Sequence, residues 1–188
     1  MEGIILAAGY SSRFPDYKMV QKINDRTLIE HTIHQMQDYV THIFVVTGHH
    51  HKRIEAVLKD YKNISCLYND EFDKGMFSSV KKGVSMVTGS FFLIPGDCPF
   101  VEKTTYEALL KEDGDVVIPS YEMKSGHPIK INKTLIEALK KSHAIHLREF
   151  LSTYNKRYVT VDDSWILEDI DDKDTFEKIK GRLENENY

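Results

Sequence analysis

Short apolar runs alternate with amphipathic stretches almost from one end of the chain to the other. A continuous apolar run suits a strand covered on both faces, whereas apolar positions recurring every three or four residues suit a helix with one buried side. Read this way, strands are expected at residues 3–8, 43–47, 65–68, 91–95, 116–119, 129–131 and 158–161. The intervening helices announce themselves through caps and period. Thr27-x-x-Glu30 is a capping box, and Ile29, Ile33, Met36 and Val40 then form one apolar face. Val80, Val84 and Val87 repeat that spacing, Thr104-x-x-Glu107 is expected to cap a helix carrying Leu109 and Leu110, and Phe176, Ile179 and Leu183 face inward on the last helix. No linker, repeat or low-complexity segment interrupts the pattern. It predicts a single α/β domain over residues 1–188, a three-layer Rossmann-like fold with a mostly parallel sheet.

Parallel topology has a consequence for chemistry, because the ligand of an open α/β sheet sits beyond the carboxyl ends of its strands. The expected strand ends Ala8, Thr47 and Pro95 are followed by Gly9, Gly48 and Gly96-Asp97, so all three loops should meet at one edge. The first is the most informative. Gly9, Ser11 and Ser12 let backbone N–H groups approach an anion, and Arg13 and Lys18 follow to hold its charge. That is a polyphosphate cradle. The loop lacks both the G-x-G-x-x-G of dinucleotide binding and the G-x-x-x-x-G-K-[ST] of a P-loop, which argues against hydride transfer and ordinary NTP hydrolysis.

Composition narrows the partners. The 188 residues carry a net charge of −4 with 29% charged side chains, and no basic run is interleaved with aromatics, so nucleic acid is not an expected partner. No apolar stretch is long enough to span a bilayer, and the N-terminus lacks a signal-peptide layout, so a cytoplasmic protein away from membranes is expected. Cys66 and Cys98 lie in apolar, strand-like surroundings and read as reduced buried thiols. The sequence leaves the oligomeric state open.

The order Leu6-Ala7-Ala8-Gly9-x-Ser11-Ser12-Arg13, with Lys18 five residues later, resembles the signature of nucleotidyltransferases of the NTP-transferase fold, and most closely their molybdenum cofactor cytidylyltransferase branch. Four further segments fall in the order that branch requires: Val46-Thr47-Gly48-His49, Gly75-Met76-Phe77-Ser78-Ser79-Val80, Pro95-Gly96-Asp97-Cys98-Pro99-Phe100 and Gly126-His127-Pro128. Asp169-Ile170-Asp171 closes the set before the last helix. The resemblance implies the nucleotide-diphospho-sugar transferase type of fold and a Mg²⁺-dependent transfer of CMP from CTP to a small phosphorylated acceptor, favouring molybdopterin. A sugar 1-phosphate or phosphocholine acceptor is the alternative, and a non-catalytic nucleotide-binding module is the reading from another class.

Specific residues take expected roles. Arg13 offers a planar fork to the β- and γ-phosphates, and Lys18 a mobile point charge to the α-phosphate. Asp97 is a natural Mg²⁺ ligand at the sheet edge. The resemblance gives the metal to the same residue and makes Asp169 the expected second ligand, leaving Asp171 or Asp172 to cap the last helix. It also implies that the nucleotide is held by Leu6, Ala7, Ala8, Gly9, Ser11 and Ser12, by Thr47, Gly48 and Gly96, and through base and ribose contacts by Gly75, Ser78 and Ser79. Leu-Ala-Ala-Gly goes with the cytidylyl branch and Leu-Ala-Gly-Gly with the guanylyl branch, so the Ala8 methyl is expected to narrow the space beside the base. His127 reads either as an acceptor-site residue or general base, or as a packed turn histidine. The run His49-His50-His51 reads as a loop entering a helix rather than a metal site, since adjacent side chains diverge, and Trp165 as a core residue. Two positions depart from the family pattern: Phe14-Pro15 stands where Met-Gly is usual, and Asp25 replaces the turn glycine before Thr27.

Overall fold

The computed structural model describes residues 1–14 and 16–185, without the side chains of 183–185. Pro15 and the expected inward face of Leu183 therefore lie outside the described residues. Ten strands are present: β1 (Glu2–Ala7), β2 (Lys22–Ile23), β3 (Arg26–Thr27), β4 (Ile43–Thr47), β5 (Ile64–Tyr68), β6 (Phe91–Pro95), β7 (Val116–Tyr121), β8 (Lys124–Ser125), β9 (Ile129–Ile131) and β10 (Lys156–Thr160). Seven α-helices accompany them: α1 (Leu28–Met36), α2 (His51–Leu58), α3 (Met76–Val84), α4 (Lys103–Leu110), α5 (Ile136–Lys141), α6 (Leu147–Leu151) and α7 (Lys173–Asn185). The main sheet runs β10-β7-β9-β6-β1-β4-β5, with β8 hydrogen-bonded to β7. Pairs β1/β4, β1/β6, β4/β5 and β7/β10 are parallel, while β9 runs antiparallel to both β6 and β7.

Side-chain alternation along β1 explains the layers. Ile4 and Leu6 enter a core with Val80 and Val84 of α3 and Leu139 of α5. Ile5 and Ala7 point the other way, into a core with Ile29 and Ile33 of α1, Ile54 of α2 and Leu109 of α4. A third cluster joins Ile23, Leu28, Ile170, Phe176 and Ile179, with Phe14, Phe100 and Trp165 half-buried against it. This cluster docks α7 and the segment before it against the β2–β3 hairpin. The fold is the expected single α/β domain with a mostly parallel, mixed sheet.

Element ends differ from expectation in instructive ways. Thr27 does form the capping box: its backbone N–H donates to Glu30 at 2.8 Å, and its side chain accepts from the Glu30 N–H. Thr104 does not cap α4. That helix starts at Lys103, and Asp163 takes over, accepting from the Glu102 N–H at 2.9 Å and the Thr105 hydroxyl at 2.8 Å. A distant carboxylate thus replaces the local box. Val40 lies beyond α1, after a 3₁₀ turn, in extended backbone. In the hairpin turn the left-handed residue is Asn24 (φ 53°), so Asp25 need not supply the conformation a glycine would. Strand β1 stops one residue early, which frees Ala8 to face the cleft.

Candidate active site

The loop after β1 is pinned at both ends. Tyr17, almost wholly buried, donates its hydroxyl to the Ala7 carbonyl at 2.8 Å and brings the chain back to the strand end. The His50 ring packs on Tyr17 at 4.1 Å, and the Arg53 guanidinium lies over the Tyr17 ring at 5.9 Å while pairing with Asp16. The histidine run enters α2 as expected: His51 meets the Thr47 hydroxyl, and His49 packs on Tyr10. Within the loop, Ser11 adopts a left-handed conformation (φ 54°), and its carbonyl accepts from the Phe14 N–H. A non-glycine residue held there marks a loop shape fixed by its surroundings.

Charge concentrates where β1 and β6 end. The buried Lys18 ammonium donates to Asp97 at 2.6 Å and to Asp171 at 3.1 Å. Arg13, largely exposed, donates to the other Asp171 oxygen at 2.8 Å. Burial opposes the charge on Lys18, but the adjacent carboxylates of Asp97 and Asp171 outweigh it and raise its pKa. Asp171 also loses solvent, yet hydrogen bonds from Lys18 and Arg13 hold its carboxyl below the usual range. Asp169 behaves oppositely: burial, then the negative charges of Asp171 and Asp97, push it up. The Ile170 N–H donates to the Asp97 carbonyl at 2.9 Å, which ties the chain carrying Asp169 and Asp171 to the β6 end.

The opposite wall is the loop from β5 into α3. Asn69, buried, donates to the hydroxyls of Ser78 at 2.9 Å and Ser79 at 3.0 Å. Ser78 in turn donates to the carbonyls of Glu71 and Gly75. Gly75 has φ 95°, a conformation only glycine adopts without strain, and it lets the loop turn into α3. From across the cleft the Tyr10 hydroxyl donates to Asp73, and its ring meets Phe72 edge-on at 5.5 Å. A cavity of about 430 Å³ lies between the two walls. Its size and its mix of apolar surface with a few convergent polar groups suit a small-molecule ligand.

A sheet-edge cavity that brings a glycine-serine loop, two cations and carboxylates to one crevice suits phosphoryl or nucleotidyl transfer, and residues 3–158 match the family model described as the MobA-like NTP transferase domain. The chain belongs to that family. This MobA-like chain is a nucleotidyltransferase by membership. It is 29% identical over 183 residues to the molybdenum cofactor cytidylyltransferase of Escherichia coli K12, covering 95% of each. It is 24% identical over 200 residues to a probable molybdenum cofactor guanylyltransferase of Bacillus mycoides, covering 98% of each. Its fold matches the Rv0371c structure from Mycobacterium tuberculosis in complex with manganese, with a TM-score of 0.77 at 20% identity, over 96% of this chain and 97% of that one.

Of the residues that carry the MobA-like signature, the cavity is lined by Leu6, Ala8, Gly9, Ser11, Ser12, Arg13, Lys18, Gly75, Ser79 and Asp97. Others stand behind this lining. Ala7 is buried and offers its carbonyl to Tyr17. Thr47 is fully buried, its hydroxyl shared between His51 and the Leu67 carbonyl. A Cβ on Gly48 would come within 2.5 Å of the Ala8 carbonyl and 2.7 Å of Phe72, so its bare backbone allows the two walls to approach. Gly96 donates its N–H to the Leu6 carbonyl, and Ser78 is spent on loop closure.

Lys18 is not the mobile charge the sequence suggested, since burial and two carboxylates fix it. The helix cap is Asp172, which accepts from the Thr175 N–H at 2.8 Å, while Asp171 faces the cavity. Tyr10, Met19, Phe72, Asp73, Met76 and Pro95 line the cavity without having been singled out. His127 lies outside it: it precedes β9, its backbone N–H donates to the Ile166 carbonyl, and its buried Nδ1 has no hydrogen-bond partner among the described residues. Burial lowers its pKa against the opposing charge of Asp97.

Proposed function

We propose that this nucleotidyltransferase moves CMP from CTP to a phosphorylated acceptor with loss of pyrophosphate. The observation that carries the reading is the buried Lys18 ammonium, held between Asp97 and Asp171 on the cavity floor and facing the Ala8–Arg13 loop. An acceptor phosphate oxygen attacks the α-phosphorus, and the bond from that phosphorus to the bridging β-oxygen breaks. Negative charge spreads over the α-phosphate and the departing pyrophosphate, so catalysis rests on positioning and fixed charge. Lys18 supports the α-phosphate, and the exposed Arg13 fork supports the β- and γ-phosphates. Gly9, Ser11 and Ser12 line the same cavity, and their backbone N–H groups would serve the phosphates between them. Gly75 and Ser79 support the ribose and base, and Ala8 leaves room for a pyrimidine.

The carboxylates suit a hard divalent cation. Asp97, Asp169 and Asp171 lie close enough for mutual repulsion to raise Asp169, and Lys18 already bridges two of them as a positive charge. Among the described residues no three His, Cys, Asp or Glu side chains can hold a metal by themselves. Mg²⁺ needs no such cluster, since it takes one or two carboxylates and completes its shell with phosphate oxygens and water. Asp97 and Asp169 would hold it; Asp169 makes no ion pair among the described residues. The cation would supply charge stabilisation at the phosphates. Asp171 keeps Lys18 and Arg13 in place.

His127 is held near enough to Asp97 to feel its charge, but its Nδ1 is buried, so a role at the acceptor would need the acceptor to reach the ring's other side. Molybdopterin is the acceptor favoured by likeness to the E. coli relative. The test is pyrophosphate release from CTP and Mg²⁺ with molybdopterin, a hexose 1-phosphate or phosphocholine as acceptor. Release with molybdopterin alone supports the reading; release only with one of the other two replaces the acceptor.

A further inference from the structure

We propose that Asp73 reads the exocyclic amino group of the base, separating cytosine from uracil; this rests on the nucleotide occupying the cavity as proposed above. The sheet order sets the two ends of the cavity apart. Strand β6, with Asp97, lies on one side of β1, whereas β4 and β5, leading to Phe72–Met76, lie on the other. Arg13 and Lys18 draw the triphosphate to the first end. A carboxylate at the second end would repel phosphates, so Asp73, which lines the cavity there, faces the heterocycle.

The walls at that end are flat and apolar: the Tyr10 and Phe72 rings and the Met76 side chain, the last two-thirds exposed while the cavity is open. They can flank a base but cannot tell one base edge from another. The polar groups decide that. The Ser79 hydroxyl accepts from Asn69 and keeps its proton, so it is suited to donate to a ring or ribose oxygen or nitrogen rather than to accept from an amino group. Tyr10 spends its proton on Asp73 Oδ1, a bond that also raises the Tyr10 pKa. Asp73 Oδ2 has no hydrogen-bond partner among the described residues. An ionised carboxylate only accepts, so it complements the 4-amino group of cytosine and faces the O4 carbonyl of uracil lone pair against lone pair. That is selection by repulsion as well as attraction. Ala8 and Asp73 would then divide the work, one limiting ring size and the other reading the edge.

A different role for Asp73, as a latch that merely ties the two loops through Tyr10, makes a different prediction. Calorimetric titration of CTP, UTP and GTP with Mg²⁺ into the wild type, Asp73→Asn and Tyr10→Phe separates the two. Wild type should bind CTP about tenfold or more tighter than UTP, and Asp73→Asn should bring the ratio within about threefold, since a carboxamide can donate to O4 as readily as accept from an amine. Tyr10→Phe, which removes the latch and keeps the carboxylate, should preserve the preference for CTP. An unchanged ratio in Asp73→Asn, or equal loss for CTP and UTP, overturns the assignment and leaves the cytidylyl reading standing. A wild type that binds GTP best, or none of the three, overturns both.

Discussion

At one end of the cavity Lys18, Arg13, Asp97 and Asp171 hold one another through contacts of 2.6 to 3.1 Å, and the ammonium is buried. At the other, Tyr10 and Met76 stay half or more exposed, and one carboxylate is tethered by one hydroxyl. The first end is held in place by its own ion pairs. Fixed charges cost little reorganisation during the reaction, which is where electrostatic catalysis gains most. The second end presents apolar surface and one carboxylate, which suits choosing a ligand rather than transforming it. The difference separates residues expected to change turnover from those expected to change only which nucleotide is used.

Asp97→Asn should break the charged end most severely. Pyrophosphate release should fall at least about a hundredfold. The fold should survive, because Lys18 retains Asp171 and no core contact is lost; circular dichroism melting checks this. Activity near the wild-type level would remove Asp97 from the metal and phosphate machinery. Lys18→Ala should lower kcat by about tenfold to a hundredfold while KM changes less, because its charge meets the α-phosphate most strongly in the transition state. An effect on KM alone would reduce Lys18 to a binding residue and make Arg13 the better candidate.

Gly48→Val tests whether the two walls must approach. The added side chain would collide with the Ala8 carbonyl and the Phe72 ring, costing about 1–3 kcal/mol of stability. For a domain of this size that is a fall in melting temperature of about 2–4 °C per kcal/mol, read by differential scanning calorimetry. Unchanged melting would mean that the loops yield easily. Ala8→Gly should change stability and turnover with CTP least. Removing the methyl beside the base should shift the CTP-to-GTP ratio of kcat/KM by about 1–3 kcal/mol without reversing it.

The charged end was largely legible in the sequence because glycine, serine, arginine and lysine at fixed spacing after an apolar strand have few other uses. Parallel topology then brought Asp97 to the same edge. What escaped notice was decided by distant contacts. Asp171 and Asp172 are neighbours with equal claims to a helix cap, and only the docking of α7 through Ile170 and Phe176 turns one to Lys18 and leaves the other for Thr175. Asp163 displaced the apparent Thr104 cap from 58 residues beyond its Thr105 contact. Tyr10 and Asp73 belong to loops 63 residues apart, and neither has a local pattern that foretells their meeting.

The most direct measurement is a thermal-shift series of the wild-type protein with CTP, GTP, UTP and ATP, each with and without Mg²⁺. A ligand that binds only the folded state raises the melting temperature in proportion to its affinity and concentration. CTP with Mg²⁺ should give the largest rise, and the rise should shrink when Mg²⁺ is omitted, because the carboxylates proposed to hold the cation would then repel the triphosphate. A larger rise with GTP, or none with any nucleotide, would contradict the account.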